Sequence, residues 1–317
     1  MTKIAFWDNC LCERGTTVAL YDYAYFNKTI LGNESIILYK KNNSENDENV
    51  IMRFKKEFEV YGVIDFDEVD PILLQTKCDI FYIIKGGWID NQVSKVIKTA
   101  VHCVFNCNHP HGDVYASIAP WVNGNNGKYP FVPHMINLPD HNQDMREQLN
   151  IPKNATVYGR HGNYDGFDNK ITLETVHRVA KENSNIYFVF VNTKPFCENL
   201  PNIIHLGRIY DLNEKVKFIN TCDAMIWGGS HGEVFSLAIG EFCVRNKPII
   251  CMDNGSRGQV HLLGDKGVWY NSHESLYQIL TRFNRDNAKE MEWNAYKQYT
   301  PEYVMDIFKK VFITGGP

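Results

Sequence analysis

The sequence is poor in the short signatures that mark the commonest nucleotide-handling enzymes. No Gly-x-Gly-x-x-Gly follows a first strand and no Walker loop occurs, which disfavours a nicotinamide dehydrogenase and a kinase. A hydrolase likewise finds no support in a strand-to-helix nucleophile elbow. Positive charge is also short. The chain has 33 Lys and Arg against 37 Asp and Glu, a net charge of −4, and no run of five basic residues, so it carries no electrostatic footprint for nucleic acid. No apolar stretch approaches the ~20 residues that cross a bilayer. Met1–Trp7 leads straight into an apolar strand rather than a basic region followed by a long apolar core, so no targeting signal is expected. The nine cysteines are odd in number and scattered from Cys10 to Cys251. They read as reduced thiols of a cytoplasmic protein, not as a disulfide framework.

What is present is alternation. At 317 residues, with 44% hydrophobic and 22% charged, the chain suits a globular protein of two domains of about 150 residues each. In the first half, Lys3–Trp7, Ser35–Tyr39, Ile80–Ile84 and Val101–Phe105 read as buried strands. Thr16–Tyr25, Asn49–Tyr61, Val69–Gln75 and Gln92–Lys98 read as helices, and the Asn-rich stretch Lys40–Asn49 as an exposed loop. The segment Phe131–Pro139 is extended and ends in proline, and a short helix is expected around Gln143–Leu149. A second alternation follows, with strands at Ala155–Tyr158, Ile186–Val191, Ile203–Leu206, Ala224–Trp227 and Pro248–Cys251 and helices at Lys170–Lys181, Leu212–Ile219 and Phe235–Arg245. Strand–helix alternation is the pattern of parallel sheets covered by crossover helices. The expected fold is α/β, two doubly wound Rossmann-like domains with a cleft between them and ligands at the carboxyl ends of the strands.

The strongest motif is Gly228-Gly229-Ser230-His231-Gly232-Glu233-Val234-Phe235-Ser236-Leu237-Ala238-Ile239-Gly240-Glu241. The eight-residue separation of Glu233 and Glu241 is a little over two helical turns, which would place both carboxylates near one helix face. The glycines let backbone approach a ligand closely, and free amides following Glu233, at Val234, Phe235 and Ser236, would point at an anion. The run follows a strand and leads through a helix into another strand after Asn246-Lys247-Pro248. In this setting it resembles the Glu-x7-Glu signature of retaining GT-B glycosyltransferases, family 4 in particular. Val157-Tyr158-Gly159-Arg160 resembles that family's strand end, which delivers an arginine to the donor diphosphate, with Lys170 as the second cation at a wider spacing than usual. Leu206-Gly207-Arg208, the lead-in at Met145–Ile151 and the closing segment Trp293–Phe312 extend the match over most of residues 131–312; over the first domain it is weak.

The resemblance implies an N-terminal acceptor-side domain, 1–138, joined by a returning C-terminal helix, 301–317, and a nucleotide-sugar domain, 139–300. It implies transfer of a hexose, from GDP-mannose or UDP-glucose, to a glycan or glycoprotein acceptor. It further implies retention of configuration and no cofactor or metal. A virus-encoded or bacterial surface-glycan enzyme fits by analogy, and homodimerisation is left open. Arg160 and Lys170 would neutralise the diphosphate, Glu241 would accept from ribose hydroxyls and Glu233 from sugar hydroxyls. His109, with His111 close behind, would reach the sugar from the first domain. Gly15, in the loop Glu13-Arg14-Gly15-Thr16-Thr17, would lie near the donor phosphate or acceptor, where Thr16 can equally serve as a helix cap. Cys103-Val104-Phe105-Asn106-Cys107-Asn108-His109-Pro110-His111 also invites a zinc reading, but ligands so close together on a strand end would strain a tetrahedral site. Asp65-Phe66-Asp67 mimics an Asp-x-Asp metal motif, yet it precedes a helix where acids serve as caps. An epimerase of the same fold, or a non-catalytic nucleotide-sugar or glycan-binding protein, remains as the alternative.

Overall fold

The computed structural model describes residues 1–315. The chain divides into two compact units, Met1–Met135 with Gln298–Pro317, and Ile136–Lys297. The first contains strands β1 (Lys3–Asp8), β2 (Glu34–Lys40), β3 (Glu59–Val63), β4 (Ile80–Lys85), β5 (Lys98–Cys103) and β6 (Val114–Ser117). The second contains β7 (Thr156–His161), β8 (Ile186–Val191), β9 (Ile203–Leu206), β10 (Ala224–Ile226), β11 (Ile249–Met252) and β12 (Gly267–Tyr270). The helices are α1 (Gly15–Thr29), α2 (Glu48–Glu57), α3 (Val69–Gln75), α4 (Lys170–Glu182), α5 (Leu212–Thr221), α6 (Leu237–Val244), α7 (Gly258–Leu263), α8 (His273–Arg282), α9 (Arg285–Lys289) and α10 (Pro301–Phe308).

Each unit is built on one six-stranded sheet, ordered β3-β2-β1-β4-β5-β6 in the first and β12-β11-β10-β7-β8-β9 in the second. All pairings are parallel. Strands such as Ile-Phe-Tyr-Ile-Ile-Lys (β4) and Ile-Tyr-Phe-Val-Phe-Val (β8) are nearly continuous apolar runs because helices cover both faces of a parallel sheet. Numbered within its own unit, each sheet runs 3-2-1-4-5-6, so the strand order reverses beside β1 in one unit and beside β7 in the other. Such a reversal opens a crevice at the carboxyl ends of the two strands flanking it, where doubly wound sheets bind ligands.

Three expected helices differ from the structure, each for a local reason. Gln92–Lys98 is a loop because short polar side chains capture the amides a helix would use. Asp70 accepts from Ser94 Oγ and Lys95 N at 2.7 and 3.1 Å, and Ser94 Oγ accepts from the amides of Val96 and Ile97, each at 3.2 Å. Residues 145–150 form turns, with Asp144 holding the Arg146 amide at 2.8 Å and Thr221 Oγ1 that of Met145 at 2.8 Å. Helix α2 stops at Glu57 because Phe58 turns extended, and Glu59–Val63 then pairs with β2 as a strand instead of continuing the helix to Tyr61. Strands β6 and β12 were also unforeseen. Strand β5 begins three residues earlier than expected, at Lys98.

The first unit's core carries a cluster of rings. Phe308 of α10 lies 5.2 Å from both Tyr23 and Tyr82, 6.4 Å from Phe6 and 5.1 Å from Phe312. The chain's return after residue 297 is therefore fixed by aromatic packing on β1 and β4. Truncating Phe308, which is fully buried, removes its contacts with all four rings. Phe308→Ala is expected to lower stability by about 3–5 kcal/mol, read from the urea midpoint; a loss below about 1 kcal/mol would show that α10 does not hold this core together.

Candidate functional site

The second unit's strand reversal lies between β7 and β10, and β7 ends in Tyr158-Gly159-Arg160-His161. Gly159 is required there because a Cβ would lie 2.2 Å from Cys222 Sγ beneath the strand. Arg160 is 5% exposed. Its guanidinium donates to neutral oxygens, Thr193 Oγ1 at 2.6 Å and the Asn163 carbonyl at 2.8 Å, and stands over the Phe167 ring at 5.8 Å. Burial lowers its pKa to about 10, while Glu233 and Asp168 act through space in the opposite direction. A desolvated cation bonded mainly to neutral oxygens favours an anion beside it.

The loop after β10 supplies the other wall. Gly232 has φ +71°, and a Cβ on it would lie 2.4 Å from the Asn254 carbonyl. The close approach of the two backbones is locked by Gln259, fully buried, which accepts from the Glu233 amide at 2.9 Å and donates to the Met252 and Asn254 carbonyls at 3.0 Å each. Asp168 pins the other end, accepting from the Ser230 amide and hydroxyl at 2.7 Å each, while the Asp168 and Asn169 amides donate to the Gly228 carbonyl. Gly228, Ser230 and Gly232 have Gly-x-Ser-x-Gly spacing, yet they form no nucleophile elbow. The Ser230 hydroxyl is committed to Asp168, and helix α6 starts only at Leu237.

Glu233 belongs to this loop. Trp227 Nε1 donates to its Oε1 at 3.0 Å; burial raises its pKa, opposed by the Trp227 bond and the charge of Arg160. The expectation that Glu233 and Glu241 share one helix face is corrected here. Ser236 caps α6 by accepting from the Ile239 amide at 3.3 Å, so Gly232, Glu233 and Val234 lie in a half-buried, non-helical loop, while Phe235 and Ser236 are buried. The Glu233 amide is spent on Gln259, and the helix's free amides begin at Leu237 rather than just after Glu233.

Glu241 lies on α6 and is 6% exposed. Lys215 Nζ of α5 is 3.0 Å from its Oε1, and His161 Nε2 is 2.8 Å from its Oε2. Burial alone would raise its carboxyl, but Lys215 and His161 hold it down at about 2. Burial pushes His161 below its ordinary range, so Lys215 supplies the charge at neutral pH. Consecutive strand residues point to opposite faces, and this separates the two acids. Glu233 is coupled to Arg160 and Glu241 to His161, the next residue along β7.

The remaining candidates are dispersed. Lys170 opens α4 with its side chain 85% exposed and paired with Glu174 at 3.7 Å, and no contact brings it to Arg160. His109 is exposed, and His111 lies 3.2 Å from Lys85 Nζ. Gly15 starts α1, where Arg14 rather than Thr16 occupies the cap position. Among the described residues no three His, Cys, Asp or Glu side chains are grouped as metal ligands. Asp65 and Glu68 form a reciprocal capping box, which accounts for the acids near Asp67. Sequence reasoning missed His161, Asp168, Lys215 and Gln259. Of these, only His161, adjacent to Arg160 at a strand end, carried a local signal.

No family profile and no curated protein matches the chain. Solved structures do. A glycosyltransferase from Rickettsia africae ESF-5 shares 13% identity over 99% of each chain, with a TM-score of 0.67. Anabaena Alr3699/HepE in complex with UDP-glucose shares 14% over 98% of each chain, at 0.68. WaaG, a glycosyltransferase involved in lipopolysaccharide biosynthesis, shares 11% over 98% of this chain and 100% of its own, at 0.69. Together with the two parallel six-stranded sheets, these likenesses give the chain the GT-B fold of two Rossmann-like domains.

Proposed function

We propose that the protein is a glycosyltransferase taking a hexose from a nucleotide diphosphate sugar held at the carboxyl ends of β7 and β10. The observation that carries this reading is the buried Arg160 guanidinium, bonded to neutral oxygens, with the Glu233 carboxyl electrostatically coupled to it across a glycine loop. A diphosphate would supply the anion that Arg160 lacks, and its negative charge grows as the bond to the anomeric carbon breaks, so the stabilisation is strongest in the transition state. Glu233 would accept from sugar hydroxyls. Glu241 would accept from ribose hydroxyls with the lone pairs that Lys215 and His161 leave open. Lys170 would reach the diphosphate only as a flexible surface cation, and His109 and Gly15, on the first unit, are carried by the resemblance alone. UDP-glucose is supported as donor by the likeness to HepE, whose complex contains it; GDP-mannose is the donor to compare with it. Retention of configuration, with the departing phosphate taking the acceptor's proton, rests on the Glu-x7-Glu resemblance. A glycan acceptor is proposed on the same ground. Among the described residues no helix is long and apolar enough to cross a membrane, and a cytoplasmic location is proposed from the thiol content. Calorimetry against a panel of nucleotide sugars, with nucleotide release as the second readout, tests the whole reading. Binding without release on any acceptor would instead support a non-catalytic nucleotide-sugar protein.

Arg160→Ala is expected to weaken nucleoside diphosphate binding by about 1.5–3 kcal/mol, the range for hydrogen bonds to charged groups, and to leave the bare nucleoside almost unaffected. Equal losses by calorimetry would place Arg160 at the base or in the scaffold.

The two acids should separate cleanly. Glu233→Gln is expected to cut turnover at least about tenfold while nucleotide binding persists. Glu241→Gln should instead destabilise the fold by about 3–5 kcal/mol, because it removes the buried carboxylate from its ion pair with Lys215. Since the Glu241 pKa is depressed, from 4.5 to about 2, its contribution is complete above about pH 4.5 and fades as pH falls toward 2. Chemical denaturation at a series of pH values checks this, and a constant difference between the native chain and the variant from pH 6 to pH 2 would refute it.

With Arg160 as the charge opposing the leaving group, transfer is expected to survive prolonged chelation and to change little on adding magnesium or manganese. Loss of transfer restored by one divalent ion would replace this arrangement with a metal-assisted one.

A further inference from the structure

Two thiols in the first unit are placed for a reaction that glycosyl transfer does not use. Cys103 closes β5 and Cys107 sits in the turn that follows, with their Sγ atoms 3.0 Å apart and both residues buried. That is closer than the ~3.5–4.0 Å optimum for non-bonded carbon atoms, and about 1 Å beyond a disulfide bond. The turn has little freedom to separate them. The Phe105 and Asn106 amides both donate to the Gly86 carbonyl, at 3.1 and 3.0 Å, and the Cys107 amide donates to the Asn123 carbonyl at 2.7 Å. Gly87, at φ +108°, lets the Asn106 carbonyl approach to a point 1.7 Å from where a Cβ would stand, and Tyr115 Oη donates to the same carbonyl at 3.1 Å. Backbone bonds on both sides of the turn thus set the sulfur–sulfur distance. This makes closure an intramolecular step of high effective concentration.

We propose that Cys103 and Cys107 form a reversible dithiol–disulfide site, oxidised by small-molecule disulfides. The hydrogen bond between the two sulfurs holds the Cys103 thiol below its ordinary range, with Tyr115 contributing in the same direction, and the same contact together with burial pushes Cys107 up. Cys103 is therefore the attacking thiolate. It displaces one thiolate from the small disulfide to give a mixed disulfide. Cys107 then loses its proton, attacks Cys103 Sγ and releases the second thiolate. Two electrons pass from the pair to the oxidant, and two protons leave with the two small thiols. The sulfurs are buried, while Phe105, Asn108 and His109 of the same turn are exposed. Cys78, Cys197 and Cys222, which lie elsewhere in the chain, serve as internal controls.

The test uses the full chain equilibrated in buffers of varying oxidised-to-reduced glutathione ratio. Samples are acid-quenched and alkylated, and peptides are weighed while circular dichroism confirms that the fold persists. The expected result is a peptide carrying Cys103 and Cys107 that becomes lighter by two hydrogens as the buffer becomes oxidising. It returns to the dithiol mass in reduced buffer, and alkylation of the two residues falls together. Cys103→Ser should leave Cys107 fully alkylated in the same buffers. The proposal is overturned if both thiols stay alkylatable at every ratio with the fold intact, or if either pairs with a different cysteine. None of these readouts involves a sugar nucleotide, so failure here and failure of the proposed transfer are separately visible.

Discussion

The reversal of strand order beside β7 is the constraint on which the candidate site depends. A parallel sheet needs a crossover for each new strand, and the crossovers keep one hand. After three strands are laid in one direction from β7, the next must start again on its other side, at β10. The connections leaving β7 and β10 then diverge to opposite faces, and the backbone ends between them are left uncovered. Arg160 and the loop Gly228–Gly232 occupy those two ends. The chemistry of the site is assembled from residues about seventy positions apart because the winding puts their strand ends side by side.

Charge at that point is organised by the two-residue alternation of a strand. Arg160 and His161 are neighbours in sequence, yet each is coupled to a different acid. Arg160 is desolvated with neutral oxygens around it, so Glu233 acts on it only through space. Glu241 is instead satisfied internally by Lys215, and its charged form is strongly favoured. One acid thus stays electrostatically responsive while the other stabilises the packing of α5 and α6 against β7. The glycine loop that holds Glu233 is rigid for a separate reason. Asp168 grips it at one end and the buried Gln259 at the other, so the backbone that carries the carboxyl is held at two points.

The first unit repeats the same winding with different contents. Its strand ends carry Asp8, bonded by Thr17 and Arg14, and Lys85, paired with Asp90. These ions are neutralised from within, in contrast to Arg160. Beyond β5 the turn brings two sulfurs together where the sequence showed only a loose run of cysteines and histidines. The same fold therefore places an anion-seeking cation in one unit and a thiol pair in the other.

The sequence by itself determined the fold class, because apolar runs of strand length alternating with amphipathic helices have few solutions other than parallel, helix-covered sheets. It also determined that Arg160 ends a strand and that Glu233 follows a glycine loop, since both depend on residues within a few positions. Where local side chains competed for backbone amides, as Asp70 and Ser94 do over residues 92–97, the apolar pattern alone was misleading. The eight-residue spacing of Glu233 and Glu241 likewise said nothing about Ser236 interrupting the helix between them. Only the tertiary structure decided that Glu241 is held by Lys215 and His161, that Gln259 fixes Glu233, and that Cys103 and Cys107 meet. Each of those contacts is set by packing and side-chain direction rather than by spacing along the chain, and a one-dimensional pattern carries no record of which face a side chain takes.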